Sequence, residues 1–241
     1  VENIGPTIFS GRVTDIDVNP NDASVFLVAY ASGGLWKTQN NGNSFTPLFD
    51  DQASMTIGDI YADWTSGTIW VGTGEVNSSR SSYAGTGIYK STDWGVTWTW
   101  KGLPESHHIS RVLVDPNDSN IVYVGVLGHL YSTNPERGVY KSMDGGSTWS
   151  KILYVDDNSG VIDLIMDPSD PNILYAASWD RIRYAWDFQE AGKGSGIHKS
   201  LDGGNTWIKV SAIDSGFPDG EGTGRIGLTI AEIDGQNKVF A

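Results

Sequence analysis

One twelve-residue pattern occurs four times in the chain, and it limits the fold more than any other feature. The copies are Gly34-Leu-Trp-Lys-Thr-Gln-Asn-Asn-Gly-Asn-Ser-Phe45, Gly87-Ile-Tyr-Lys-Ser-Thr-Asp-Trp-Gly-Val-Thr-Trp98, Gly138-Val-Tyr-Lys-Ser-Met-Asp-Gly-Gly-Ser-Thr-Trp149 and Gly196-Ile-His-Lys-Ser-Leu-Asp-Gly-Gly-Asn-Thr-Trp207. Their closing aromatics, at 45, 98, 149 and 207, recur every 51 to 58 residues. A second landmark precedes three copies: Asn19-Pro20-Asn-Asp22, Asp115-Pro116-Asn-Asp118 and Asp167-Pro168-Ser-Asp170, each followed by a short apolar run. Every repeat therefore reads as four short strands joined by tight turns. Four-stranded units of this length bury their faces only by packing on one another around an axis, the logic of a β-propeller blade. The spacing predicts an all-β fold of one propeller region, 1–241. Its blades fall near 10–49, 56–103, 109–154 and 161–210, with part of a fifth over 224–241, as in a fragment of a longer propeller.

The turn chemistry agrees with that period. An Asp or Asn side chain accepts hydrogen bonds from following amides, Gly supplies positive φ, and Ser or Thr tightens the bend. The closing Trp is expected to plug the apolar layer between sheets. The structural residues of these turns are Asn40 and Phe45, Asp93 and Trp98, Asp144 and Trp149, and Asp202 and Trp207. The last three copies resemble Asp-boxes, or BNR repeats, found in sialidases, xyloglucanase-type glycoside hydrolases, photosystem assembly propellers and sortilin-type domains. The first copy is degenerate, with Thr38, Asn40 and Phe45 at the Ser, Asp and Trp positions. Asn3-Ile-Gly-Pro6, Ser10-Gly-Arg-Val-Thr14, Val71-Gly-Thr-Gly-Glu75 and Arg137-Gly-Val-Tyr-Lys-Ser142 extend the resemblance to large secreted bacterial propellers called sortilin-like or glycosyl-hydrolase-like. That resemblance implies that the acidic turns occupy one rim. The links between second and third strands, and those from one blade to the next, occupy the other, where ligands bind.

Composition removes several function classes. With 16 Lys and Arg against 29 Asp and Glu the formal charge is −13, so the counterion-release term behind nucleic-acid affinity is missing and anionic lipid would repel the chain. The longest apolar run, Val25 to Ala31, is far short of the roughly 20 residues a membrane helix needs. No cysteine is present, which excludes thiolate metal sites and thiol nucleophiles. No motif supports a cofactor or metal; calcium ligation is the alternative reading of the turn acids. His107, His108, His129 and His198 have no metal-ligand spacing.

Functional residues are expected in the second-to-third strand links, which vary in length from blade to blade. The first is only Tyr30-Ala-Ser-Gly33. The second, Glu75 to Gly85, carries Arg80 and Tyr83; the third, Gly128 to Arg137, carries His129 and Arg137. The fourth, Trp179 to Gly194, holds Trp179, Arg181, Arg183 and Trp186, an assortment suited to stacking on sugar rings and pairing with hydroxyls or carboxylates. The carboxylate candidates for hydrolysis are Glu75, the pair Asp50 and Asp51, and the pair Asp156 and Asp157, since glycoside cleavage needs an acid and a partner across the bond. Xyloglucanase-type enzymes carry an Asp in the first link, where this chain has Ala31 and Ser32. Arg12, Arg111 and Arg225 open inner strands, but the Phe/Tyr-Arg-Ile-Pro segment of sialidases is missing, and such arginines pair with acids lining the channel. The expected function is a secreted (extracellular or periplasmic) propeller that binds polysaccharide or glycan, or acts on it as a glycoside hydrolase does. The alternative is a protein-interaction propeller of sortilin or assembly-factor type.

Overall fold

The computed structural model describes residues 11–212, 215–217 and 219–241; the Asn3–Pro6 motif lies outside them. Among the described residues, the regular structure is β apart from one 3-10 turn at Pro104–Ser106. The first sheet holds β1 (Val13–Val18), β2 (Phe26–Tyr30), β3 (Gly34–Thr38) and β4 (Thr46–Pro47). The second holds β5 (Ile57–Asp63), β6 (Thr68–Thr73), β7 (Ile88–Ser91) and β8 (Thr99–Trp100), and the third β9 (Ile109–Val114), β10 (Val122–Val126), β11 (Gly138–Ser142) and β12 (Ser150–Leu153). The fourth begins with β13 (Ser159–Asp167) and β14 (Asp170–Asp180); a separate hairpin, β15 (Ile182–Arg183) with β16 (Phe188–Gln189), precedes its last strands, β17 (Gly196–Ser200) and β18 (Ile208–Lys209). In all four sheets the strands lie in chain order, as a blade requires.

The partial fifth blade is a two-stranded sheet of β19 (Thr229–Ile233) and β20 (Gln236–Phe240). The sequence placed these strands at 225–232 and 238–241. Asp234 and Gly235 both take positive φ, 56° and 73°. A two-residue turn of that kind matches strand twist and brings the return strand in at once, at Gln236.

The chain forms two compact units, Val1–Val112 and Leu113–Ala241. In the first, Leu27, Leu35 and Phe49 of the first sheet's segment bury against Ile57, Ile60, Ile69 and Tyr89 of the second. In the second, Tyr123, Val139 and Leu153 pack with Val161, Leu164 and Leu174. The closing aromatics are half-buried, not sealed in the core as the sequence suggested. The reason is visible at Trp98, which meets Phe49 edge-on at 4.9 Å and donates its indole N–H to Leu48 O, so its ring lies at the outer margin between two sheets.

Carboxylates on the inner strands stitch neighbouring sheets together. Asp15 Oδ2 accepts from Ile60 N at 3.1 Å, Asp59 Oδ2 from Val112 N at 2.7 Å, and Asp163 Oδ2 from Leu228 N at 2.8 Å. Each of these acids directly follows a register shift in its ladder, between Val13 and Asp15, Ile57 and Asp59, and Val161 and Asp163. A bulge re-aims the next side chain, and here it turns the carboxylate toward the adjoining sheet. The third inner strand carries Arg111 at this position, and Leu164 N is met by its own neighbour, Asp163 Oδ1, at 2.9 Å.

The repeated Lys has a structural role as well. It sits opposite a second-strand aromatic, Trp70 with Lys90, Tyr123 with Lys141 and Tyr175 with Lys199. The ammonium lies 4.8, 5.2 and 5.1 Å from the ring centres, a cross-strand cation–π contact. In the first sheet Leu27 faces Lys37, which reaches Trp94 instead, at 4.7 Å.

Candidate functional site

The acidic turns share one geometry. In the second sheet, Asp93 Oδ1 accepts from Ser91 Oγ and Thr97 N, Oδ2 accepts from Thr97 Oγ1, and Ser91 Oγ accepts from Gly95 N. Ser142, Asp144 and Thr148 repeat the set, as do Ser200, Asp202 and Thr206. These bonds to the ionised form hold all three carboxyls down at about 2. Asn40 does the same work with its amide, accepting from Ser44 N through Oδ1 and donating to Ser44 Oγ through Nδ2. The turns are tied to the first-to-second strand turns of the same sheets, through Asn41 N to Ser24 O, Trp94 N to Gly67 O, Gly145 N to Asn120 O and Gly203 N to Asn172 O. The links between second and third strands instead meet the links between sheets, as in Gly34 N to Met55 O, Gly85 N to His107 O and Asn134 N to Asp157 O. Turns and long connections therefore occupy opposite ends of the strands.

On the connection side of the first unit, Glu75 is buried, and its Oε1 accepts from Arg12 Nη2 at 2.7 Å and from Asn77 N at 3.2 Å. Arg111 likewise pairs with buried Asp59 at 2.9 Å. Burial and the nearby Asp15 lift the Asp59 carboxyl well above its ordinary range, while Arg111 pulls it back. Of the arginines that open inner strands, Arg111 thus pairs with an inner-strand acid, Arg12 with an acid of the second link, and Arg225 lies over the Trp179 ring. In the same unit, Arg80 and Tyr83 are exposed, and Tyr83 O accepts from Thr56 Oγ1. Asp50 and Asp51 line an open cleft of about 550 Å³ with Pro47, Leu48 and Gly95 to Trp98. That cleft runs beside the second acidic turn, while Asp50 Oδ1 also stands 3.5 Å from where a Cβ on Gly34, at the link end of β3, would lie.

In the second unit, several candidates make hydrogen bonds within the links and turns. Arg137 is 1% exposed and donates to four carbonyls: Leu127 and Asn158 through Nη1, His129 and Ser132 through Nη2. It organises the third link instead of facing solvent. His129 takes part through its own N–H to Asn134 Oδ1. Asp156 Oδ1 accepts from Asn158 N and Ser159 N, and Asp157 Oδ1 from the Tyr154 hydroxyl at 2.5 Å. These two acids build the turn into β13.

The fourth link is folded on itself by the β15–β16 hairpin. Trp179 is buried, donates to Glu190 O at 2.8 Å, and has the guanidinium groups of Arg181 and Arg225 5.7 and 5.8 Å from its centre. Arg183 lies 4.6 Å over Phe188, which meets Trp179 edge-on. Beyond this base the hairpin projects Tyr184 and Trp186, rings parallel within 9° and 5.4 Å apart, and Trp186 is 81% exposed. Of the four residues the sequence singled out here, Trp179 and Arg181 support the hairpin, while Arg183 and Trp186 are reachable. Tyr184 was missed; only its spacing of two from Trp186 on a hairpin tip signals the pairing.

No family model matches the chain. It is 26% identical over 236 residues to a xyloglucanase of a Paenibacillus species, covering 86% of this chain and 22% of the relative. A GH74 xyloglucanase structure from Xanthomonas campestris superposes with a TM-score of 0.64 at 19% identity, over 94% of this chain and 34% of that one. The structure of YCF48 bound to D1 peptide gives 0.53 at 16%, over 88% and 57%. The chain spans about a fifth of the length of the curated relative it matches. The fold is that of a β-propeller fragment, similar in sequence to glycoside hydrolases of the xyloglucanase kind.

Proposed function

We propose that this chain is part of an extracellular, Asp-box-type propeller that binds a polysaccharide on its connection face, with Tyr184 and Trp186 as the stacking platform. A large exposed aromatic pair is costly to leave in water, and its flat outer face suits the apolar face of a pyranose ring. The single observation behind the reading is that pair, exposed and parallel, on a hairpin whose base is locked by Trp179. Similarity to xyloglucanases supports a β-glucan-backbone polysaccharide such as xyloglucan as the ligand. Binding is favoured over cleavage because three of the five carboxylate candidates are engaged, Glu75 with Arg12 and Asp156 and Asp157 in turn hydrogen bonds, which leaves only the adjacent Asp50 and Asp51. The first link, where xyloglucanase-type enzymes carry an Asp, is a tight turn at Ala31 and Ser32. The likeness to YCF48 speaks to fold alone and brings no residue to a peptide-binding reading.

Affinity electrophoresis through gels containing xyloglucan, with reducing-sugar release measured in parallel, tests the proposal. Retardation of the parent chain, its loss in Trp186→Ala and no sugar release are the expected results. Unretarded migration on every polysaccharide, or Trp186→Ala behaving like the parent, overturns it.

A further inference from the structure

Beside the Tyr184–Trp186 pair lies a small cavity of about 90 Å³, lined mainly by the third link, Leu130 to Thr133, and the fourth, Arg181 to Tyr184. Tyr184 belongs both to its wall and to the stacked pair. The walls are mostly apolar. The guanidinium groups of the two lining arginines are held over rings, Arg181 5.7 Å from the centre of Trp179 and Arg183 4.6 Å from that of Phe188. Leu130, Ile182 and the two tyrosines, Tyr131 and Tyr184, therefore set its character. Tyr131 to Thr133 and Tyr184 are exposed, so the cavity is reached from solvent next to the platform. Apolar walls around an open hollow of this size leave dispersion contacts unmade until a ligand group enters it.

We propose that this cavity is a subsite for an O-acetyl group, carried by the neutral polysaccharide whose sugar ring stacks on the Tyr184–Trp186 pair. The inference rests on the glycan reading above and extends it to the substitution of the ligand. Size, polarity and position each narrow the occupant. At about 30 Å³ per water, the cavity has the volume of about three waters. An acetyl group has as many non-hydrogen atoms and fits, whereas a pyranosyl branch has about three times as many and does not. A methyl group leaves most of the space empty, and a hydroxymethyl group brings a hydroxyl to a mostly apolar wall at the cost of its hydration. Position follows from Tyr184: a substituent on a ring held against that side chain lies next to the cavity it walls. The ester is uncharged, so the chain's net charge of −13 does not oppose it.

Affinity electrophoresis with one xyloglucan preparation, half of it chemically acetylated and half untreated, tests this. The parent chain binds the acetylated polymer about threefold to fivefold more tightly, the effect of burying one methyl-sized group. Thr133→Phe, at an exposed position on the lining, fills the cavity and brings the ratio of the two dissociation constants to unity. Tyr131→Ala, which takes away one wall, does the same. A ratio of unity in the parent, or a raised ratio that both variants keep, overturns the subsite; retardation by the untreated polymer then leaves the platform standing. Displacement of the acetylated polymer by N-acetyl-leucine amide, with no preference for acetylation, also overturns it and assigns the cavity to an apolar peptide side chain. Absence of retardation by either polymer sinks the platform and the subsite together.

Discussion

Replacing Asp59 by Ala tests the inner-strand stitch at its most buried member. The carboxylate accepts from Val112 N at 2.7 Å and from Arg111 Nη1 at 2.9 Å. Val112 is 2% exposed, so its amide is left without an acceptor, a loss of about 1–3 kcal/mol. The Arg111 side chain is 39% exposed and water takes over much of its pairing, so that half of the contact adds under about 1 kcal/mol. Removing a buried carboxylate beside Asp15 returns part of this, and the net expectation is a loss of about 2 kcal/mol. Asp59→Asn keeps an acceptor for Val112 and loses less than half as much. Urea unfolding monitored by Trp fluorescence gives the free energy, and hydrogen exchange of the Val112 amide reads the broken bond directly. Asp59 lies in the first unit; in the second, Asp163→Ala takes the acceptor from Leu228 N and weakens the stitch there. A loss below about 0.5 kcal/mol in Asp59→Ala, with Val112 protection unchanged, would refute the stitch.

Other outcomes follow from the same contacts. Trp179→Ala, which empties a 3% exposed site, costs about 3–5 kcal/mol, whereas Trp186→Ala leaves the urea midpoint unchanged and removes polysaccharide retention; a reversed pattern would contradict the division between base and platform. The turn acids Asp93, Asp144 and Asp202 have folded values depressed to about 2. Their contribution is therefore complete above the unfolded carboxyl value and is lost as pH falls through about 2; denaturation between pH 5 and 2 shows a shallower loss in Asp144→Asn than in the parent. Asp59 has the opposite sign. Its folded value is raised by burial, so its stabilising contribution is full below the unfolded value and declines as pH rises through the folded one, and Asp59→Asn flattens that decline. Gly58→Ala destabilises the first unit, since a Cβ there would stand 1.9 Å from Ile109 O; wild-type unfolding behaviour would show that the two strands separate freely.

The repeat made the sheets legible because each copy encodes local chemistry. Ser-x-Asp-x-Gly-x-Thr closes its bonds within five residues, Ser91 to Gly95 and Asp93 to Thr97, so no distant partner is needed to read it. The stitches were not legible. Asp59 and Val112 are 53 residues apart, and the bulge that aims the carboxylate leaves no residue signature shared by Thr14, Gly58 and Ile162. The same limit governs the site. Composition marked the fourth link, but whether Trp179 or Trp186 faces water depends on the β15–β16 register, Ile182 with Gln189 and Arg183 with Phe188. Arg137 and Arg181 are indistinguishable in the sequence; one donates to four carbonyls and the other makes only long contacts of 3.4 Å.

That last contrast bears on how a propeller edge becomes a binding surface. A link that only spans two strands needs a few residues, as Tyr30 to Gly33 does in the first sheet. The fourth link adds a hairpin and uses its innermost residues, Trp179 and Phe188, to fix the base before any side chain is offered to solvent. Fixing the base means that the stacked pair loses little conformational freedom when a ligand arrives, and ordering of side chains otherwise takes about 0.5–1.5 kcal/mol each from the affinity. A rigid platform is then compatible with a fold whose repeated turns lie at the other end of the strands, because those turns stabilise the blades without constraining what the links carry.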